Sequence, residues 1–232
     1  MPRKQAVKSK PKAFETGFTL REIKPLTENQ ASAFEHYEDG KHLLLAGMAG
    51  TGKSFIALYL CLKDLIEGKL SSVLIMRSTV PSRDMGFLPG TLEEKLSAYE
   101  DPYRQIVNNL FGRDDAWFIM CKKGHIKLSS TSYLRGVTYK NVGIILDESQ
   151  NCTLHELDTV ITRVGAGCRV FVCGDERQSD LIGSKTPQGM THFRQILSYV
   201  PEFRSVSFGI EDIVRSGLVK NYILAKHKLG LN

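Results

Sequence analysis

The sequence predicts an α/β fold, a parallel sheet with helices on both faces, and three observations carry that expectation. Continuous short apolar runs alternate with helix-patterned stretches along the chain. The first run ends in a glycine-rich loop that opens straight into a helix. A later run ends in two consecutive acids. A strand covered on both faces reads as an unbroken apolar segment, because neither side meets water. Residues 42–46, 72–76, 142–146 and 169–173 are such segments.

Residues 1–19 are expected to be a basic flexible arm, and residues 20–232 a single domain. Thr27-Glu28-Asn29-Gln30 opens a helix to about Tyr37, with Ala31, Phe34 and Tyr37 at helical spacing. A second helix runs from Lys53 to Glu67 and stops at Gly68. Residues 85–90 read as a loop. Helix resumes at Thr91, is expected to break at Pro102, and continues to Leu110. Residues 117–121 and 125–129 read as short extended pieces. Thr153 opens a helix whose Glu156 completes a capping box. Residues 191–199 are expected as helix, 204–208 as strand, and 211–228 as a closing helix.

Composition excludes several classes. Apolar residues are 42% of the 232 and charged ones 24%, which describes a globular chain able to bury its own core. Its apolar runs are too short to cross a bilayer, and the basic amino terminus has no apolar segment behind it. A cytoplasmic protein without membrane contact is expected. Cys61, Cys121, Cys152, Cys168 and Cys173 are odd in number and form no C-x-x-C pair, so reduced, buried thiols are expected rather than a zinc site. The net charge of +6 invites a nucleic-acid reading. Arg3, Lys4, Lys8, Lys10 and Lys12 supply most of it, however, before the first acid at Glu15. The excess therefore belongs to the arm, as a solvated tail or as a phosphate-contacting one.

Gly47-Met48-Ala49-Gly50-Thr51-Gly52-Lys53-Ser54 fits the phosphate-loop pattern G-x-x-x-x-G-K-[ST]. Glycines let successive backbone N–H groups converge on a phosphate, and the following helix adds the positive end of its dipole. Lys53 is the candidate for the β- and γ-phosphates, and Ser54 the candidate hydroxyl for magnesium. Asp147, at the tip of the 142–146 strand, is the candidate second magnesium ligand. Glu148 beside it is the candidate base for an attacking water. Gln178, after Gly174-Asp175-Glu176-Arg177, is a candidate γ-phosphate sensor or water-positioning group. ATP with Mg2+ is the expected ligand.

Further stretches carry a resemblance. Asn29-Gln30, Met85-Gly86-Phe87-Leu88-Pro89-Gly90, Leu134-Arg135-Gly136, Asp147-Glu148-Ser149-Gln150-Asn151, Gly174-Asp175-x-x-Gln178 and Asp212-Ile213-Val214-Arg215 are similar to the PhoH-like family. Those are ATPases related to the first motor domain of superfamily-one helicases. The resemblance spans roughly residues 20–225 and implies a RecA-like P-loop fold. It implies that Gln30 reads adenine, although Thr27-x-x-Gln30 is equally a capping box. It implies that Gln178 senses the γ-phosphate and that Arg215 acts near the nucleotide or as a finger toward a neighbouring subunit. Arg177 is the rival finger, and an exposed helix cation is the plainer reading of Arg215. Arg77, Thr79 and Arg135 fall where related helicases touch single-stranded nucleic acid, RNA being favoured. The roughly 50 residues after Gln178 are too few for a second motor domain, so a homo-oligomer, a hexameric ring by the resemblance, is expected.

Three functions follow from these residues. The first is ATP hydrolysis, coupled to binding or unwinding of single-stranded nucleic acid. The second is a nucleotide-gated nucleic-acid-binding or assembly protein with little turnover. The third, a small-molecule kinase, shares the phosphate loop but would need an arginine-rich lid that this sequence lacks after its core.

Overall fold

The computed structural model describes residues 17–78, 99–131, 136–175 and 189–230. Helix α1 (Glu28–Glu38) leads into strand β1 (His42–Gly47), then α2 (Lys53–Ile66) and β2 (Ser72–Arg77). Helices α3 (Glu100–Phe111) and α4 (Ala116–Lys122) precede β3 (Ile126–Ser130) and β4 (Val142–Asp147). Helix α5 (Leu154–Ile161), β5 (Arg169–Gly174), α6 (Gly189–Ser198), β6 (Phe203–Phe208) and α7 (Gly217–Lys228) complete the order. The six strands form one sheet in the order β3-β2-β4-β5-β1-β6, and every pairing is parallel.

Alternation along the strands explains the two-faced core. Leu43 and Leu45 of β1 face the side covered by α1 to α4, while Leu44 between them faces α5 and α6. Ile145 and Phe171 join the first side, Ile144, Leu146, Val170 and Val172 the second. Each central strand is apolar throughout because each of its faces is packed. The expected α/β class is the one found, with helices on both faces.

Three local expectations are corrected. Residues 117–121 lie in helix α4, with Trp117 and Met120 buried one helical turn apart. A five-residue apolar run does not distinguish strand from helix, and its packing decided. Pro102 does not break the helix, since it sits in the first turn of α3, where its missing N–H removes no intrahelical bond. The closing helix starts at Gly217, not at residue 211; Ile210–Asp212 is a single 3-10 turn. Here Val214 N donates to Gly50 O at 3.1 Å and Gly209 N to Asp212 Oδ2 at 2.8 Å. The Val214 donor is taken by the neighbouring loop and not by Ile210, so the ladder stops after a single turn. The loop at 85–90 and the helix start at Thr91 lie outside the described residues.

Candidate nucleotide site

The carboxyl ends of β1, β4 and β5 converge where a parallel sheet characteristically receives its ligand. Residues 47–52 turn from β1 into α2. Gly47 has φ +136°, and a Cβ there would sit 2.1 Å from Phe208 O on the adjoining strand β6, so no side chain fits. At Gly50 a Cβ would meet Arg215 Cγ at 2.9 Å. Thr51 is fully buried and ties the loop by donating from Oγ1 to Met48 O at 2.9 Å. The cap of α2 at Gly52 offers no side-chain acceptor. The helix therefore presents first-turn N–H groups that no capping side chain occupies.

Lys53 Nζ donates to Gly47 O and Met48 O, each at 2.7 Å. Burial lowers its pKa, and the negative charges around it, among them Asp175, Asp147 and Glu148, oppose that shift. Ser54 Oγ donates to Asp147 Oδ1 at 2.8 Å, across the width of β5 from one motif to the other. On its far side, Asp147 Oδ2 accepts from Tyr103 Oη of α3 at 2.8 Å. Burial raises the Tyr103 pKa, and the Asp147 charge raises it further, so the phenol stays a donor.

Glu148 occupies the left-handed region at φ +50°, which a non-glycine residue rarely adopts. Its Oε2 accepts from Gln150 Nε2, and Gln150 Oε1 accepts from Asp175 N at 3.0 Å. Gln150 thereby joins the ends of β4 and β5. The two adjacent acids thus have different hydrogen-bond partners.

A cavity of about 530 Å³ brings these residues together. Gln30, Ala49, Gly50, Gly52, Lys53, Ser54, Asp147, Glu148 and Arg215 line it. Ile23, Leu26, Phe34, Phe55 and Ile106 add an apolar side. Gln30 is buried; its Nε2 donates to Thr51 O at 3.1 Å and its Oε1 accepts from Leu26 N at 2.8 Å. The cap of α1 is Thr27, whose Oγ1 accepts from Gln30 N at 3.3 Å. The Gln30 side chain satisfies a backbone donor, as the capping reading expects, but that donor belongs to Leu26 rather than to Thr27. Arg215 is exposed and lies against Gly50, in the segment before α7 and not on a helix.

Arg77, at the tip of β2, lies apart from this cavity's lining, with its guanidinium 4.5 Å from the centre of the Tyr99 ring. Thr79, Arg135, Gln178 and the rival Arg177 fall outside the described residues. Tyr103 and the apolar wall were not singled out by sequence reasoning, and Gln150 was quoted only within the stretch that carries the resemblance, without a role. Its signal was its place two residues after Glu148; Tyr103, 44 positions from Asp147, had none.

Glycine loop, strand-tip acid and all-parallel sheet together define a P-loop α/β domain. A family model described as PhoH-like protein matches residues 22–226, and the chain belongs to that family. A PhoH-like protein of Mycobacterium leprae is 32% identical over 219 residues, covering 90% of this chain and 61% of the relative. Protein PhoH of Escherichia coli is 32% identical over 194 residues, covering 81% and 53%. Protein PhoH2 of Bacillus subtilis is 37% identical over 169 residues, covering 68% and 37%. The chain thus spans less than two thirds of each of these relatives. Among solved structures, a SWI2/SNF2 ATPase core of Sulfolobus solfataricus in complex with dsDNA aligns at TM-score 0.46 and 16% identity, over 82% of this chain and 47% of that one. Pif1 helicase of Candida albicans aligns at 0.39 and 16%, over 80% and 40%. No helix among the described residues is long and apolar enough to cross a membrane.

Proposed function

We propose that this chain binds ATP with magnesium in the 530 Å³ cavity and hydrolyses it. The 2.8 Å bond between Ser54 Oγ and Asp147 Oδ1 carries this reading, because it joins the phosphate loop to the strand-tip acid. A hydroxyl and a carboxylate are hard oxygen donors, a set that suits magnesium, which keeps several waters and takes few protein ligands. The ion would neutralise charge on the β- and γ-phosphate oxygens. Lys53 exchanges two carbonyl dipoles for phosphate oxygens, a partner of full charge. Glu148 takes the proton of the attacking water. Gln30 keeps one amide hydrogen and one carbonyl lone pair for an adenine edge, beside the apolar wall.

The remaining assignments rest on family resemblance, except the basic arm and the cytoplasmic location, which rest on charge distribution and composition. Arg215 and Gln178 answer the γ-phosphate. Residues 20–232 act as one motor-like domain behind a basic arm at 1–19, in a cytoplasmic homo-oligomer, a hexamer. Arg77, Thr79 and Arg135 contact the backbone of single-stranded nucleic acid, RNA in preference.

The test measures ATP binding and phosphate release for the wild type, Lys53→Ala and Glu148→Gln, with and without single-stranded RNA. Lys53→Ala is expected to lose both binding and release. Glu148→Gln is expected to keep binding and lose turnover by about 10²–10⁴-fold. A wild type that binds no ATP overturns the reading, and undiminished turnover in Glu148→Gln removes the base. The Gln150–Glu148 bond favours a second reading, a nucleotide gate, because it engages one oxygen of the carboxylate that would serve as base. Slow release indifferent to RNA would support that alternative.

A further inference from the structure

The segment after β6 is tied to the phosphate loop at two points. Met48 N donates to Phe208 O at 3.4 Å, and Val214 N to Gly50 O at 3.1 Å. Between them lies Asp212, fully buried. Its Oδ2 accepts from Gly209 N and from Asn29 Nδ2, each at 2.8 Å, while its buried Oδ1 has no hydrogen-bond partner among the described residues. An ionised carboxylate is costly to bury and is kept where donors face it. The turn alone needs only one acceptor for Gly209 N, which an uncharged side chain would supply. The second bond of Asp212 reaches a side chain 183 positions away, on the first turn of α1.

Asn29 immediately precedes Gln30, at the base end of the cavity, and Arg215 follows Asp212 by three residues, against Gly50 at the phosphate end. We propose that Asp212 is a positioning residue, and that the Asn29–Asp212 bond fixes the separation between the base-reading and phosphate-holding ends of the site. This rests on the ATP-binding reading above. A ligand that spans both ends feels the bond. A ligand that occupies only the phosphate end does not.

Steady-state ATP hydrolysis and competition by inorganic tripolyphosphate, which has no base, test the idea in Asn29→Ala and Asn29→Leu, which both remove the donor to Asp212 Oδ2, the second while filling the space. Each single change is expected to raise KM for ATP about tenfold, the equivalent of one hydrogen bond to a charged group, with kcat retained. The tripolyphosphate inhibition constant should not move. Equal losses for ATP and tripolyphosphate, or a KM unmoved in the mild Asn29→Ala change, would overturn the proposal. A wild type that binds ATP while these variants match it sinks this inference alone; a wild type that binds none sinks the ATPase reading with it.

Discussion

Asp147 shows how much one carboxylate is asked to do. It accepts Ser54 Oγ on one oxygen and Tyr103 Oη on the other, and only 7% of its surface is exposed. Two hydroxyl donors fix the plane of the carboxylate, so its remaining lone pairs point in set directions. Partners of this kind behind a metal-ligating group set its orientation and basicity. Removing the phenol in Tyr103→Phe should therefore raise the magnesium concentration for half-maximal ATP turnover by about tenfold. ATP binding without the metal should stay as in the wild type. A magnesium titration decides the point, and overlapping curves would mean that Ser54 alone orients the acid. Nothing in the sequence marked Tyr103, because the contact depends on α3 folding back over the strand tip. Asp147 and Glu148 were legible because adjacent acids ending an apolar run need no tertiary knowledge to be noticed.

At the scale of elements, the start of α5 joins more than its own helix. Thr153 and Glu156 form the capping box read from the sequence, with Thr153 N donating to Glu156 Oε2 at 2.8 Å. Glu156 Oε1 also accepts from Ser78 Oγ, just past β2, and from Thr131 Oγ1, just past β3. One carboxylate thus gathers the exits of two strands onto a third element. Thr153→Ala removes the cap and its hydroxyl bond to Glu156 Oε2 but leaves Glu156 Oε1 in place, and should cost about 1 kcal/mol in urea unfolding. Glu156→Ala also leaves two hydroxyls without their acceptor, and should cost roughly 2–3 kcal/mol. Equal costs would show that the strand exits do not lean on Glu156. The capping box was legible because its two partners are three residues apart, whereas Ser78 and Thr131 are brought in by the sheet. The same distinction separates the strands, which the apolar runs located, from α4 and the residue 210–215 segment. In α4 a five-residue run fits either period. At 210–215 the Val214 donor is claimed by Gly50 O, a distant partner that no local pattern reveals.

Across the whole molecule, the two ends of the sheet divide the labour: the carboxyl ends carry the candidate site, and the amino ends hold strands together by local contacts. His42 begins β1, between β5 and β6. Its Nδ1 accepts from Val170 N at 3.2 Å, and its ring lies 5.1 Å from that of Phe203. Burial lowers its pKa below the ordinary 6.5, and the Arg169 charge adds to the effect against Glu202. The native imidazole is therefore neutral, as an acceptor at Nδ1 must be. The unfolded chain takes up its proton as pH falls through about 6.5, and the native state resists doing so. The unfolded state then binds more protons, so this contribution to stability is complete above that pH and is lost as pH falls toward the folded value. His125, lowered chiefly by burial and then by Lys123, acts with the same sign. Urea midpoints should accordingly fall between pH 7.5 and pH 5.5, and the fall should be smaller in His42→Gln, whose amide oxygen can still accept from Val170 N. ATP affinity of the folded fraction should not change with that substitution, because His42 sits at the opposite end of β1 from Gly47. A pH dependence identical in His42→Gln and the wild type would place the acid sensitivity elsewhere, with His125→Gln the next variant to measure.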